Sequence, residues 1–242
     1  MNPRTKTLFH FTSSLDTLLR ILREGFWPQY CLEDVRWLDD GSTQWRAWPM
    51  VSFCDIPISR LHEHTEFYGC YGIGVFREHW ESTGLNPVLY VSRDSTVRKF
   101  LREVVLDSKD VDDRMRAAAM VMMAYCKPMR GRVYGIEKEK DFYSECEWRF
   151  ISSAEACSGN FKFFLSEKEF RDQQLLQQAN DKRRKDEMLE FRPEDVRYIA
   201  VKSRDEVHNV IRFIDTELKH TPEERDLLKT RIIALDELSS DI

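Results

Sequence analysis

Paired cysteines, glycine-rich phosphate loops and long apolar runs are all missing from this chain of 242 residues. The six cysteines, Cys31, Cys54, Cys70, Cys126, Cys146 and Cys157, include no C-x-x-C pair. That excludes the common zinc ribbons and compact disulfide scaffolds, and reduced thiols are expected. No stretch approaches the roughly 18 apolar residues of a membrane span, and the opening MNPRTKTLFHF has no apolar secretion segment. A cytoplasmic protein without a membrane partner is therefore expected. With nine glycines the chain has no Walker loop and no G-x-G-x-x-G turn, and it lacks a nucleophile elbow, an H-E-x-x-H pair and the kinase signatures. A formal net charge of -5 denies it the global basic field that draws proteins to nucleic acid.

What is present is enough apolar content, 42%, to bury a sizeable core. Thr7–Phe11 alternates as a short strand. Leu15, Leu18, Leu19 and Leu22 follow at helical spacing, with Thr12-Ser13-Ser14 able to cap and Gly25 placed to stop the helix. Residues 26–48 carry Trp27, Tyr30, Trp37, Trp45 and Trp48 without a regular period, which reads as a long aromatic loop or lid. The central stretch Met50–Phe76 runs from a strand at Val51–Phe53 through a polar helix to Tyr68-Gly69-Cys70-Tyr71-Gly72-Ile73-Gly74. Three glycines among two tyrosines suggest backbone passing close to a ligand, a pocket wall.

Further on, Pro87–Val91 reads as a buried strand and Asp110–Tyr125 as a helix whose methionines fill core. In Tyr143–Ile151, strict alternation puts Glu145, Glu147 and Arg149 on one face of a strand. Leu165–Glu190 is charged and glutamine-rich, a solvated helix or partly disordered insertion, with the Lys182–Lys185 run as a possible phosphate contact. Tyr198–Val201 reads as a strand, Val207–Leu218 as an amphipathic helix, Thr221-Pro222-Glu223-Glu224 as a capping box, and Arg231–Leu235 as a closing strand.

The candidate chemistry is dispersed: His10 on the first strand, Tyr68 and Tyr71 on the glycine segment, Glu145 and Glu147 late. His62-x-His64 is short for a zinc pair and has no convincing cysteine or carboxylate ligands near it in sequence, so no metal is expected. LFHFTSSLDTLLRILREGF, MVSFCDIPISRLHEH, FYGCYGIGVFREHW, NPVLYV and ECEWRF together resemble the AbiGi family of bacterial abortive-infection phage-resistance proteins, whose name labels it an antitoxin. That resemblance covers most of residues 7–151. More remotely, the order of strand histidine, tyrosine-glycine segment and late glutamate is similar to ADP-ribosyltransferases of the His-Tyr-Glu type, including DarT-like enzymes.

The second resemblance implies an α+β fold, an ADP-ribosyltransferase-like split sheet, mixed or antiparallel, with packed helices over residues 1–163. A C-terminal α/β extension over 164–242 would pack on it. It also implies NAD as co-substrate. Breaking the nicotinamide–ribose bond builds positive charge, which Glu147 would stabilise while Glu145 orients the acceptor. His10 would hold a ribose hydroxyl with support from Thr12, Tyr71 would stack on nicotinamide beside Tyr68, and Ser52 would face the pocket. Arg149 would meet the pyrophosphate or pair with a glutamate. The implied function is an anti-phage ADP-ribosyltransferase acting on a macromolecule. RNA is favoured as acceptor because exposed Trp27, Trp37 and Trp45 and the Lys182–Lys185 run suit it. A toxin or antitoxin partner, with a chaperone as a further candidate, would restrain it. The alternatives are a non-catalytic antitoxin or sensor and an NAD glycohydrolase.

Overall fold

The computed structural model describes residues 5–38, 44–107, 112–134, 139–151 and 162–240. The chain divides into two compact units, one of Met1–Phe26, Ser52–Leu85 and Leu189–Ile242, the other of Trp27–Val51 and Asn86–Met188. Strands and helices mix in both, as an α+β chain requires.

In the first unit Thr7–Thr12 lies antiparallel to Tyr71–Phe76, from Thr7 opposite Phe76 to Thr12 opposite Tyr71. Tyr71–Phe76 is antiparallel to Val196–Val201, which in turn runs parallel to Ile232–Ala234, so the sheet is mixed. Local signals place the helices. Ser14 accepts the Thr17 N–H at the start of Leu15–Glu24, and Gly25, at φ 95°, returns its N–H to Ile21. Thr221 and Glu224 cap Pro222–Lys229 reciprocally.

The glycines of the central stretch serve a different end from the one expected. Cβ atoms built on Gly72 and Gly74 would meet the rings of Phe11 and Phe9 at 2.8 and 2.7 Å, and one on Gly69 would meet the Thr12 carbonyl at 2.3 Å. They make room for the neighbouring strand of this same chain, so the pocket-wall reading is replaced by cross-strand packing. Tyr71–Phe76 is itself a strand. Gly72→Ala is expected to lower stability by about 1–3 kcal/mol through overpacking, read as an earlier thermal melt. An unchanged melting temperature would refute the packing role.

In the second unit the supposed aromatic loop is largely sheet. Gln29–Asp34 pairs antiparallel with Trp45–Met50, and Leu165 pairs with Ala47 on the other side. Trp45–Cys54 is thus covered on both edges, and all its residues from Ala47 to Val51 are buried. A strand buried on both faces shows no alternation, which is why its period was invisible. Asp39, Asp40 and Gly41 lie outside the described residues. The Pro87–Val91 strand is two pieces. Asn86–Pro87 pairs with Trp148 and Arg149, and Leu89–Val91 runs parallel to Cys126–Pro128. Val35, Trp48, Met50, Val91, Leu101, Met120, Met123 and Ile151 form the core here. The Asp113–Ala124 helix therefore fills core with Met120 and Met123, whereas Met115 and Met122 face solvent. Gln173–Asp186 is an ordered helix that buries Arg183.

Candidate functional site

The expected site residues fall into two sets. His10, Thr12, Ser52, Tyr68 and Tyr71 belong to the first unit, and Glu145, Glu147 and Arg149 to the second.

In the first set, the Thr7–Thr12 strand directs His10 edge-on to Phe26 and Phe53, at ring distances of 5.2 and 5.7 Å. Its Nδ1 lies 2.9 Å from the Ser52 carbonyl, an acceptor, so Nδ1 carries the proton. Burial lowers its pKa and outweighs the pull of that carbonyl, which keeps the imidazole neutral. Ser52 thus meets His10 through its backbone. Thr12 is half-buried, with its carbonyl against Gly69. Tyr68 ends the helix Leu61–Tyr68, and its ring stacks 4.5 Å from His64, which also meets Phe11. The His62 side chain is not among those described.

Tyr71 opens its strand and donates its hydroxyl to Glu206 at 2.8 Å. Burial, then that hydrogen bond, push its pKa up to about 12. Glu206 stands 135 positions away, and no sequence signal pointed to it. Tyr71→Phe would leave both Glu206 oxygens unpaired, Oε2 already being buried without a partner. It is expected to cost about 1.5–3 kcal/mol, measured as a fall in urea midpoint, and no fall would show the bond to be solvated.

The second set is a buried ionic network. Glu145 does not sit on the strand as expected: Tyr143–Glu145 is a 3-10 turn, and Cys146 at φ 46°, ψ 49° is left-handed, so the strand starts at Glu147. The two carboxylates still converge, because Lys127 Nζ donates to Glu145 at 2.9 Å and to Glu147 at 2.8 Å. Lys140 approaches Glu145 at 2.7 Å. Arg149, with no exposed surface, spends every N–H. Nε and Nη2 donate to Glu147 at 2.8 and 3.0 Å, Nη1 to Glu33 at 2.8 Å and to the Ala124 carbonyl at 2.7 Å, and Nη2 again to Glu33. Of the two roles considered for Arg149, carboxylate pairing is the one observed.

Burial alone would raise both glutamate pKa values. Arg149 and Lys127 hold Glu147 well below the usual carboxylate range, and Lys127 foremost holds Glu145 below it. Arg149 is pushed well above its ordinary value by Glu147 and Glu33 against the effect of burial. Burial pushes the Lys140 ammonium down, with Glu145 opposing. Three carboxylates (Glu33, Glu145, Glu147) face three cations (Lys127, Lys140, Arg149), a balanced count. Tyr90 closes the cluster by accepting the Glu147 N–H at 2.8 Å. Sequence reasoning found Glu145, Glu147 and Arg149 by alternation and missed Glu33, Lys127, Lys140 and Tyr90, which no local pattern marks.

Some of the features that favoured an RNA acceptor are otherwise engaged, although Lys182 and Lys185 are exposed. Trp27 is buried under Arg184 at 4.9 Å, Trp37 packs on the core, and Trp45 is flanked by Arg36 and Tyr134, both at 5.3 Å. Arg183 of the basic run is buried against Glu187 at 2.7 Å. Among the described residues no group of three or more His, Cys, Asp or Glu side chains is arranged to hold a metal ion, and no helix is long and apolar enough to cross a membrane.

A family model described as "Putative abortive phage resistance protein AbiGi, antitoxin" matches residues 24–202, running past residue 151 where the resemblance had faded. The abortive phage resistance protein AbiGi of Lactococcus lactis subsp. cremoris is 27% identical over 253 residues, covering 90% of this chain and 99% of the relative. No solved structure matches. Neither match carries the ADP-ribosyltransferase resemblance.

Proposed function

This chain belongs to the AbiGi family of abortive phage resistance proteins, and from that premise we propose that it is a non-catalytic antitoxin, restraining a protein toxin by binding it. The observation that carries this reading is the state of Glu147. A carboxylate that stabilises an oxocarbenium-like centre must present uncompensated negative charge to it. Here two cations lie within 3.0 Å of Glu147 and cancel most of the field it would project. Arg149 likewise has no N–H left for a pyrophosphate, and of the tryptophans expected to stack bases Trp27 is buried.

The test uses the purified chain with labelled NAD, together with total RNA, DNA or cell lysate. No nicotinamide release and no label transfer are expected, and expression of the chain alone should leave growth unchanged. Label on a macromolecule would establish the transferase instead. Nicotinamide release without transfer would establish the glycohydrolase, and either result overturns the antitoxin reading.

A further inference from the structure

Among the described residues, Arg46 is a half-buried cation without an acid partner. Its guanidinium lies over the Phe164 ring at 4.7 Å, and Nη1 donates to the Met120 sulfur, a weak acceptor, at 3.3 Å. Burial lowers its pKa, and no carboxylate opposes that effect. By contrast Arg149, Lys127, Lys140, Arg183 and Arg77 each hold a carboxylate within 3.1 Å. The strand pairing even offers Arg46 one. It stands directly opposite Glu33 on one side and Ser166 on the other, and facing residues of paired strands share a face. Glu33 instead turns both oxygens to Arg149, in a network whose three carboxylates and three cations balance without Arg46. Arg46 is therefore one positive charge in excess, in partly desolvated space where an uncompensated charge is costly.

Resting on the antitoxin reading, we propose that Arg46 is the receptor for one aspartate or glutamate side chain of the toxin. With Nη1 turned to the sulfur, the edge formed by Nε and Nη2 remains, and its two parallel N–H groups match the two oxygens of a carboxylate. A single guanidinium balances a single carboxylate, and the Phe164 ring beneath it fixes the plane of the fork. Arginine held in this way is the kind of side chain that carries binding energy at protein interfaces. A nucleic-acid backbone fits less well. Successive phosphates call for successive cations, and the residues facing Arg46 are Glu33 and Ser166.

The experiment follows the thermal melt of the full chain and, by calorimetry, its binding to the purified product of the gene adjacent to its own. Arg46→Met keeps an apolar stem over Phe164 and removes the charge. It is expected to leave the melt of the free chain unchanged or raised, and to weaken toxin binding at least about tenfold with a smaller dependence on salt. Arg46→Lys keeps the charge without the fork and should retain only part of the affinity. Wild-type affinity in Arg46→Met overturns the site and leaves the antitoxin reading standing. Should Arg46→Met melt early, Arg46→Lys carries the test, and wild-type affinity in that folded variant overturns the two-point contact. No binding by the wild-type chain overturns the antitoxin reading, and this inference with it. A melt raised by inorganic phosphate in the wild type and not in Arg46→Met, with the toxin bound normally by both, reassigns the site to a phosphate group.

Discussion

Replacing Arg149 with Met is expected to remove about 3–5 kcal/mol of folding stability. The guanidinium is fully buried and bonded to Glu33, Glu147 and the Ala124 carbonyl, so its loss takes five hydrogen bonds from two carboxylates and a backbone acceptor and leaves Lys127 as the cation beside both carboxylates. The three-against-three charge count becomes an excess of one negative charge, and in a poorly solvated site such an imbalance is costly. The measurement is the urea midpoint near neutral pH, with the slope confirming that the same surface is exposed. A midpoint equal to wild type would show that water reaches the network. Glu147→Leu added to Arg149→Met should cost less than the two changes summed, because each removes the partner the other leaves behind. Glu147→Gln, the substitution that would probe a catalytic role for this carboxylate, meets the same geometry. That substitution unbalances Lys127 and Arg149 and must be checked for folding before any loss of activity is read from it.

Acid is expected to unfold the chain through the same residues. Glu145 and Glu147 both titrate lower in the folded state than in an unfolded chain, Glu147 because Arg149 and Lys127 overcome the opposing effect of burial. As the pH falls below about 5, the unfolded chain takes up protons that the folded chain refuses, which favours unfolding. The stability these groups contribute is therefore complete above the ordinary carboxylate value and disappears as the pH drops towards their depressed ones. Each unit of depression is worth about 1.4 kcal/mol. Urea midpoints taken from neutral pH down to about pH 3.5 should fall steeply in the wild type. The fall should be shallower in Arg149→Met, where Glu147 has lost its largest stabilising cation. Equal slopes would remove Arg149 as the cause.

Local physics was legible from the residues alone. A hydroxyl three residues ahead of an amide and a glycine after the last periodic leucine marked both ends of Leu15–Glu24, and Thr221 with Glu224 marked the start of Pro222–Lys229. Alternation located Thr7–Thr12 and singled out Glu147 and Arg149. Each of these signals is spent within four residues of chain, where sequence neighbours are also spatial neighbours.

The tertiary structure decided the rest. It paired Gln29–Asp34 with Trp45–Met50, a strand too buried to alternate, and showed that Gly72 and Gly74 yield to Phe11 and Phe9. It also brought Glu33 across 116 positions to Arg149 and Lys127 across 20 to Glu147. Whether a glutamate is a free carboxylate or a neutralised one depends on which cations share its desolvated space. That depends on how distant segments pack, which no short-range pattern carries.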